Sequence, residues 1–357
     1  MKINVLELTN NLSMGGTEKT MQIMCKYIDK SQFNVYAAAK EDGPRRLLIE
    51  RSGVKTYVTE DITGLCRTLK IDIAHIHRAG WSEDYFLKSV KNAGVPTIIE
   101  TNVFGRLDTS ISEKLIDCHL FVSYYCAQRY QMWVKRPLTG QHFQVLYNPI
   151  DFELFDNFDF TRDYRKPVIG RISRPDNSKW SDIGIDMYPI VVRNCPDVRY
   201  HIMGNTPEVC ERFKQLGIPE KNLKFFDCTT DENKIFKFLK DLTVFVHANK
   251  TGETFGVVIA EAMAAKLPVV THNTFERRDN AQTELVEHRI TGIVADNANA
   301  YGQAVSILLQ NPDTKNVLGQ VAYQKARDCF DAKKIARALE EIFVYFVKEK
   351  GRFPQNT

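Results

Sequence analysis

The chain has 357 residues, a formal net charge of +4, 43% hydrophobic and 26% charged residues, an ordinary composition for a globular protein but longer than the usual ~250–300-residue limit of one hydrophobic core. Two domains are therefore expected, and no apolar run approaches the ~18 residues of a membrane span. The eight cysteines include no C-x-x-C pair, which points away from a zinc site or a disulfide framework and towards reduced thiols.

The opening "MKINVLELTNNLSMGG" is a short strand-like run followed by a polar loop. It lacks the charged, apolar and small-residue order of a signal peptide, so the chain is expected to remain in the cytoplasm. Residues 1–148 carry 19 Lys and Arg against 15 Asp and Glu, and the remainder 29 against 29. The whole excess is N-terminal, which leans towards an anionic partner there or reflects only a solvated surface, and no nucleic-acid partner is expected.

Short β-branched runs then alternate with helical stretches: "INVLELT" and "GTEKTMQIMCKYI", "FNVYAAA" and "PRRLLIERSG", "IDIAHIH" and "SEDYFLKSVKNAG", "PTIIET" and later "CHLFVSYYCAQRY". Strand followed by helix, repeated, predicts an α/β fold with a mostly parallel sheet covered on both faces. "VLYNPIDFELFDNFDFTRDYRKP" reads as a long inter-domain connector. After it the pattern restarts with "VIGRIS", "YHIMG", "LKFFD", "LTVFVHA", "LPVVTH" and "TGIVAD". The expected division is 1–150 and 151–334. Leu339, Ile342, Phe343, Phe346 and Val347 recur at helical spacing, predicting an amphipathic helix over about 335–357 that packs on the body and can return to the first domain.

The run "GETFGVVIAEAMAAKLPVV" carries Glu253 and, within an apolar helix, Glu261. An unpartnered polar group in a core costs roughly 2–7 kcal/mol, so something is expected to occupy Glu261. The strand "LTVFVHA" ends in a polar turn, and a helix begins near Gly256. Its free N–H groups and dipole make an anion site, for which phosphate is the obvious guest. Two carboxylates beside a phosphate site suit a ligand with hydroxyls at both ends of its phosphates, such as a nucleoside diphosphate sugar.

Glu253 and Glu261, with "TFG" between and "AMAAKLPVV" after, resemble the signature of glycosyltransferase family 4, and further segments match in order along nearly the whole chain. "NNLSMGGTEK" (Gly15, Gly16, Glu18) resembles the glycine loop after the first strand. "VLYNPID" (Asn148, Asp151) resembles the opening of the second domain, and "IGRISRPDNSKW" supplies Arg171 and Lys179 where that family holds the diphosphate. The resemblance implies the GT-B fold, two Rossmann-like domains with parallel sheets facing a central cleft, and retaining chemistry. By carry-over Glu253 touches hydroxyls of the transferred sugar, the backbone of Phe255, Gly256 and Val257 the diphosphate and sugar, and Glu261 the ribose; Gly15 and Gly16 lie below the donor phosphates.

"DNAQTELVEHRITGIVAD" (Glu284, Gly292) also resembles the family, preceded by "THNTFERR", longer and more charged than the usual glycine-rich loop. After "PTIIE" many members place a His near the reacting sugar, whereas Asn102 stands there here; Asn can hydrogen-bond a sugar hydroxyl but cannot act as a base. His75 and His77 share one face of a strand, and His77 is a candidate acceptor contact. They are too few for a metal site, and the chain has no D-x-D triplet, so metal-independent transfer is expected, with Arg171, Lys179 and the helix N-terminus neutralising the leaving group. "YYCAQRYQMWVKRP" could present Trp133, Lys135 and Arg136 to a membrane surface or an anionic lipid-linked acceptor, or be a packed helix with a basic end.

The sequence thus predicts a retaining hexosyltransferase, cytoplasmic and in peripheral contact with a membrane if that segment engages one, with Glu253, Arg171 and Lys179 as catalytic residues. The donor is a nucleoside diphosphate sugar, bound mainly by the second domain, and the acceptor a saccharide or lipid-linked saccharide at the first. No cofactor or metal is required. The rivals are a nucleotide-sugar epimerase or hydrolase of the same architecture, and a degenerate, non-catalytic sugar-nucleotide-binding partner subunit.

Overall fold

The computed structural model describes residues 2–135, 137–275 and 278–351. It divides into two compact units, one formed by Met1–Pro149 with Ala332–Thr357, the other by Ile150–Asp331.

The first unit holds seven strands, β1 (Ile3–Asn11), β2 (Phe33–Glu41), β3 (Lys55–Val58), β4 (Ile73–Arg78), β5 (Thr97–Asn102), β6 (Cys118–Phe121) and β7 (Phe143–Val145). They lie in the order β3-β2-β1-β4-β5-β6-β7, every neighbouring pair parallel. Alternate residues of β1 feed opposite faces: Val5 packs with Met21, Met24 and Phe33, Leu6 and Leu8 with Ala38, Ile76, Phe86 and Leu87. The edge strands β3 and β7 escape the sequence pattern because "KTYV" and "FQV" are short and only partly apolar.

The helix Ala332–Glu349 belongs to this unit. Leu339, Ile342, Phe343, Phe346 and Val347 are all buried in the core of β1 and β2. Phe343 meets Phe33 edge-on at 5.9 Å and His75 at 5.8 Å. At about 1.5–3 kcal/mol per fully buried large side chain, these residues make the helix integral to the unit.

The second unit holds β8 (Val168–Ile172), β9 (Arg199–Met203), β10 (Leu223–Phe226), β11 (Val244–Val246), β12 (Val269–Thr271) and β13 (Gly292–Val294). Their order is β10-β9-β8-β11-β12-β13, again all parallel. In each unit the strand order reverses beside the first strand, between β1 and β4 and between β8 and β11. Outside the carboxyl ends of the strands at such a point lies the crevice where ligands of open α/β sheets bind.

The segment read as a connector is folded. Ile150 bridges to Asp331, and Asp151 caps the helix Phe152–Asp156, accepting from the Leu154 N–H at 3.3 Å. The rings of Phe155 and Phe158 lie 4.7 and 5.3 Å from that of Phe236. Phe155 and Phe158 anchor the stretch.

Among the described residues no helix is long and apolar enough to cross a membrane. In the helix Tyr124–Val134, Cys126, Arg129 and Tyr130 are buried, whereas Met132 and Trp133 are exposed. Lys135 closes the helix in the left-handed conformation; Arg136 lies outside the described residues.

Candidate active site

In the second unit, β11 delivers the loop 247–256, and the helix Val257–Ala264 follows. Two glycines shape the turn, Gly252 at φ 69° and Gly256 at φ 100°, both in the left-handed region that side chains disfavour. A Cβ at Gly252 would lie 1.6 Å from the Asp279 carbonyl oxygen, so Gly252→Ala should displace the whole loop. The expected result is loss of the Glu253 hydrogen-bond network with the unit still folded, read by hydrogen exchange of residues 247–256 alongside circular dichroism. Gly256 has no side chain to cap the helix; its carbonyl accepts from the Ile259 and Ala260 N–H groups at 2.9 and 3.1 Å, which leaves the Val257 and Val258 N–H groups to solvent or an anion.

Glu253 is the hub of this loop. Its Oε1 receives Nε2 of His247 at 3.2 Å and the Asn249 side-chain amide, and Lys179 Nζ stands 3.6 Å away. Burial opposes ionisation of this carboxylate, but the His247 hydrogen bond and the Lys179 charge outweigh it and hold the pKa down to about 2. Burial also pushes the His247 pKa down, against the pull of Glu253, so the ring is a neutral donor near pH 7. The Glu253 N–H donates to Gln282 Oε1 at 3.0 Å, and its carbonyl accepts from the Ala281 N–H at 2.8 Å. The carboxylate is thereby fixed at main chain and side chain while staying 18% exposed.

Arg171 differs from its expected place. Its side chain is 1% exposed and shares a face of β8 with Ile169, in the core of Tyr188 and Tyr200. The guanidinium stacks 3.7 Å over the Trp180 ring and donates to the Lys179 carbonyl at 2.5 Å and to Asn249 Oδ1 at 3.1 Å. It reaches Glu253 only through Asn249, whereas Lys179, 20% exposed, stands directly beside the carboxylate. Glu261 is 4% exposed on the helix, and Phe255 is buried against Phe330. Val257 is the first helical residue. Beside the network opens a cavity of about 460 Å³ lined by Trp180, Lys250, His272 and Arg278 among others; His272 joins it to the loop through Nε2 and the Asn249 carbonyl, 3.2 Å apart.

In the first unit Gly15 and Gly16 open the helix Gly16–Tyr27, and a Cβ at Gly15 would stand 2.2 Å from the Glu18 carboxylate. His77 is not available to an acceptor: it is buried and bonded through Nε2 to Glu7 at 2.7 Å. Glu7 also meets His75 Nδ1 at 2.9 Å, and His75 Nε2 meets Thr101 Oγ1 at 2.8 Å. Glu7, His75 and His77 bring three metal-type donors together, but these donors already face one another at hydrogen-bond distances beneath Phe343, as a core triad.

Asn102 is likewise committed to structure. It is 1% exposed; its amide donates to the Arg106 carbonyl at 2.8 Å and accepts from the Arg106 N–H at 3.2 Å, closing the loop after β5 into a ring. Beneath it Arg78 pairs with Glu100 and Asp108 at 3.2 and 2.6 Å, and His119 meets Glu100 at 2.6 Å. Burial lowers the His119 pKa, but Glu100 and Glu113 prevail and raise it to about 9.

His247, Asn249 and Gln282 are site residues that sequence reasoning passed over. His247 lies six positions before Glu253 at the end of a strand, and that spacing was its only signal. Gln282 reaches Glu253 from 29 positions away and left none.

Two doubly wound parallel units in one chain, the second with a glycine-flanked acidic loop leading into a short apolar helix, constitute the GT-B fold. Residues 166–311 match the family described as Glycosyl transferases group 1. The chain is 29% identical over 143 residues to a phosphatidyl-myo-inositol mannosyltransferase of Mycobacterium leprae (strain TN), an alignment covering 40% of this chain and 36% of that protein; it thus matches about a third of the relative's length. Among solved structures, a glycosyltransferase from Rickettsia africae ESF-5 superposes with a TM-score of 0.78 at 17% identity, covering 97% of this chain and 99% of that one. Anabaena Alr3699/HepE, in complex with UDP and glucose, superposes with a TM-score of 0.76 at 17% identity over 96% and 99% of the two chains.

Proposed function

We propose that this protein is a retaining glycosyltransferase that moves a hexose-like sugar from a nucleoside diphosphate sugar to a hydroxyl of a saccharide or lipid-linked saccharide, without a metal ion. The observation that carries the reading is Glu253: an ionised, partly exposed carboxylate, fixed by His247, Asn249 and Gln282, at the entry of a helix whose N-terminus is uncapped. Such a group accepts hydrogen bonds from sugar hydroxyls, while the helix N-terminus and Lys179 favour the adjoining diphosphate. The family match over 166–311 and the UDP and glucose bound to the Anabaena protein support the same reading.

As the bond between sugar and β-phosphate stretches, negative charge grows on the leaving diphosphate. Lys179 and the Val257 and Val258 N–H groups are positioned to stabilise it, which lowers the barrier because the interaction strengthens as charge develops. Arg171 holds Lys179 and Asn249 in register from below, and Glu261, one turn further along the helix, is assigned to the ribose hydroxyls. The acceptor attacks on the face the diphosphate leaves, with a phosphate oxygen as the proton acceptor.

The test is a thermal-shift screen of UDP, GDP, ADP, CDP and dTDP, each with Mg²⁺ or EDTA. At ~100 times its dissociation constant the right diphosphate should stabilise the protein by about 2.7 kcal/mol, equally under both conditions. A shift that needs Mg²⁺ overturns the metal-independent mechanism, and no shift with any of the five overturns the donor assignment. Rapid donor consumption without an acceptor favours the epimerase or hydrolase reading.

A further inference from the structure

The carboxyl-end crevice of the first unit carries a cation with no ion-pair partner among the described residues. Trp81 follows β4 by three residues and Arg106 follows β5 by four, and the two loops touch: a Cβ at Gly80 would fall 2.3 Å from the Asn102 side chain. Arg106 stacks its guanidinium 4.2 Å over the Trp81 ring and 5.8 Å from that of Phe104, and Trp81 lies 5.7 Å from Phe104. Trp81 nevertheless stays 43% exposed.

Every other arginine near this edge is engaged: Arg78 by Glu100 and Asp108, Arg45 by Gln22 at 2.6 Å. The Arg106 guanidinium forms no ion pair among the described residues. Its main chain, by contrast, is pinned at both N–H and carbonyl by Asn102. A guanidinium over an indole ring, with no ion-pair partner among the described residues, keeps N–H donors for a carboxylate or phosphate, which it can receive by paired hydrogen bonds. Lys40 repeats the motif at the end of β2, 3.7 Å over the Tyr85 ring, and adds to the positive potential of the same edge. The exposed indole offers an apolar plate for the C–H face of a sugar ring.

We infer that Trp81, Phe104 and Arg106 form an acceptor subsite for an anionic saccharide, a sugar bearing a carboxylate or phosphate, with Arg106 selecting the charge and Trp81 stacking the ring. This inference rests on the transferase reading and names the acceptor's chemistry. It also accounts for Asn102, which fixes the main chain of Arg106 and so holds the selecting cation over Trp81.

The test uses the full chain, loaded with UDP or free, and titrates p-nitrophenyl glucuronide, glucose 6-phosphate and neutral p-nitrophenyl glucoside, read by tryptophan fluorescence and calorimetry. At least one anionic probe should bind about tenfold more tightly than the neutral one, the scale of a charge-assisted pair; whichever does so identifies carboxylate or phosphate. Arg106→Ala should abolish that preference, Arg106→Lys should restore only part of it, and Trp81→Ala should weaken all three probes. UDP affinity should be unchanged in each variant, which shows that the fold and donor site are intact. Equal binding of charged and neutral probes, an unchanged preference in Arg106→Ala, or no binding of any probe would each overturn the subsite. Loss of UDP binding by the unaltered chain would instead count against the donor assignment.

Discussion

Glu253→Gln should lower turnover by about 10²–10³-fold while the protein remains folded and still binds a nucleoside diphosphate. The substitution preserves shape but removes the charge that Lys179, His247 and Asn249 all face. Loss of one preorganised electrostatic contact at a reacting centre has an effect of that size. A neutral amide must also turn its NH₂ towards one of three groups arranged as donors, so the side chain loses its fixed direction. The pH dependence supplies a second reading. With its pKa held at about 2, Glu253 stays ionised across pH 5–8, so the wild-type rate should show no limb from this residue. Steady-state kinetics with the sugar nucleotide found in the thermal screen check both. A Gln variant within threefold of wild type removes Glu253 from the mechanism.

The second large effect is on stability. Glu7 lies fully buried between His75 and His77; burial opposes its ionisation, but the His75 charge and the hydrogen bonds from both rings prevail and hold its pKa to about 2. Glu7→Ala leaves two imidazoles buried without their acceptor and should cost about 3–5 kcal/mol, as breaking one side of a buried ionic cluster does. At ~2–4 °C per kcal/mol for a unit of this size, the melting transition of the first unit should fall on the order of 10 °C.

A depressed carboxylate pKa stabilises the fold above the ordinary value of 4.5, and that stabilisation fades as pH drops towards 2. Glu7→Gln should therefore flatten the acid limb of the first unit's stability curve, while that of the second unit, where Glu253 behaves similarly, stays steep. Scanning calorimetry from pH 2 to 7 separates the two; an unaltered acid limb in Glu7→Gln would falsify the triad's role.

Much of this architecture was legible in the sequence because parallel strands buried on both faces read as apolar runs, and each amphipathic helix announces itself by period. Glu253 and the helix after it were legible for a related reason: two glycines and two carboxylates in so apolar a run conflict with simple core packing. What stayed hidden depends on direction. Arg171, Asn102 and His77 were recognised as polar residues at strand ends, but a strand turns successive side chains to opposite faces. Arg171 falls on the face of Ile169 and Tyr200, and His77 on that of Glu7, so both point into cores. The packing of Phe155, Phe158 and Phe160 was not legible because their partner, Phe236, lies some eighty positions away and comes near only through the fold.

The first unit is assembled from both ends of the chain, with the second unit interposed. During synthesis, the surface formed by Ile3, Val5, Phe33 and Val35 waits uncovered until Leu339, Phe343 and Phe346 emerge. At ~5–20 residues per second that interval is roughly 15–60 s, ample for the interposed unit to fold first. The nascent chain thus carries a completed second unit before its first unit has a closed core.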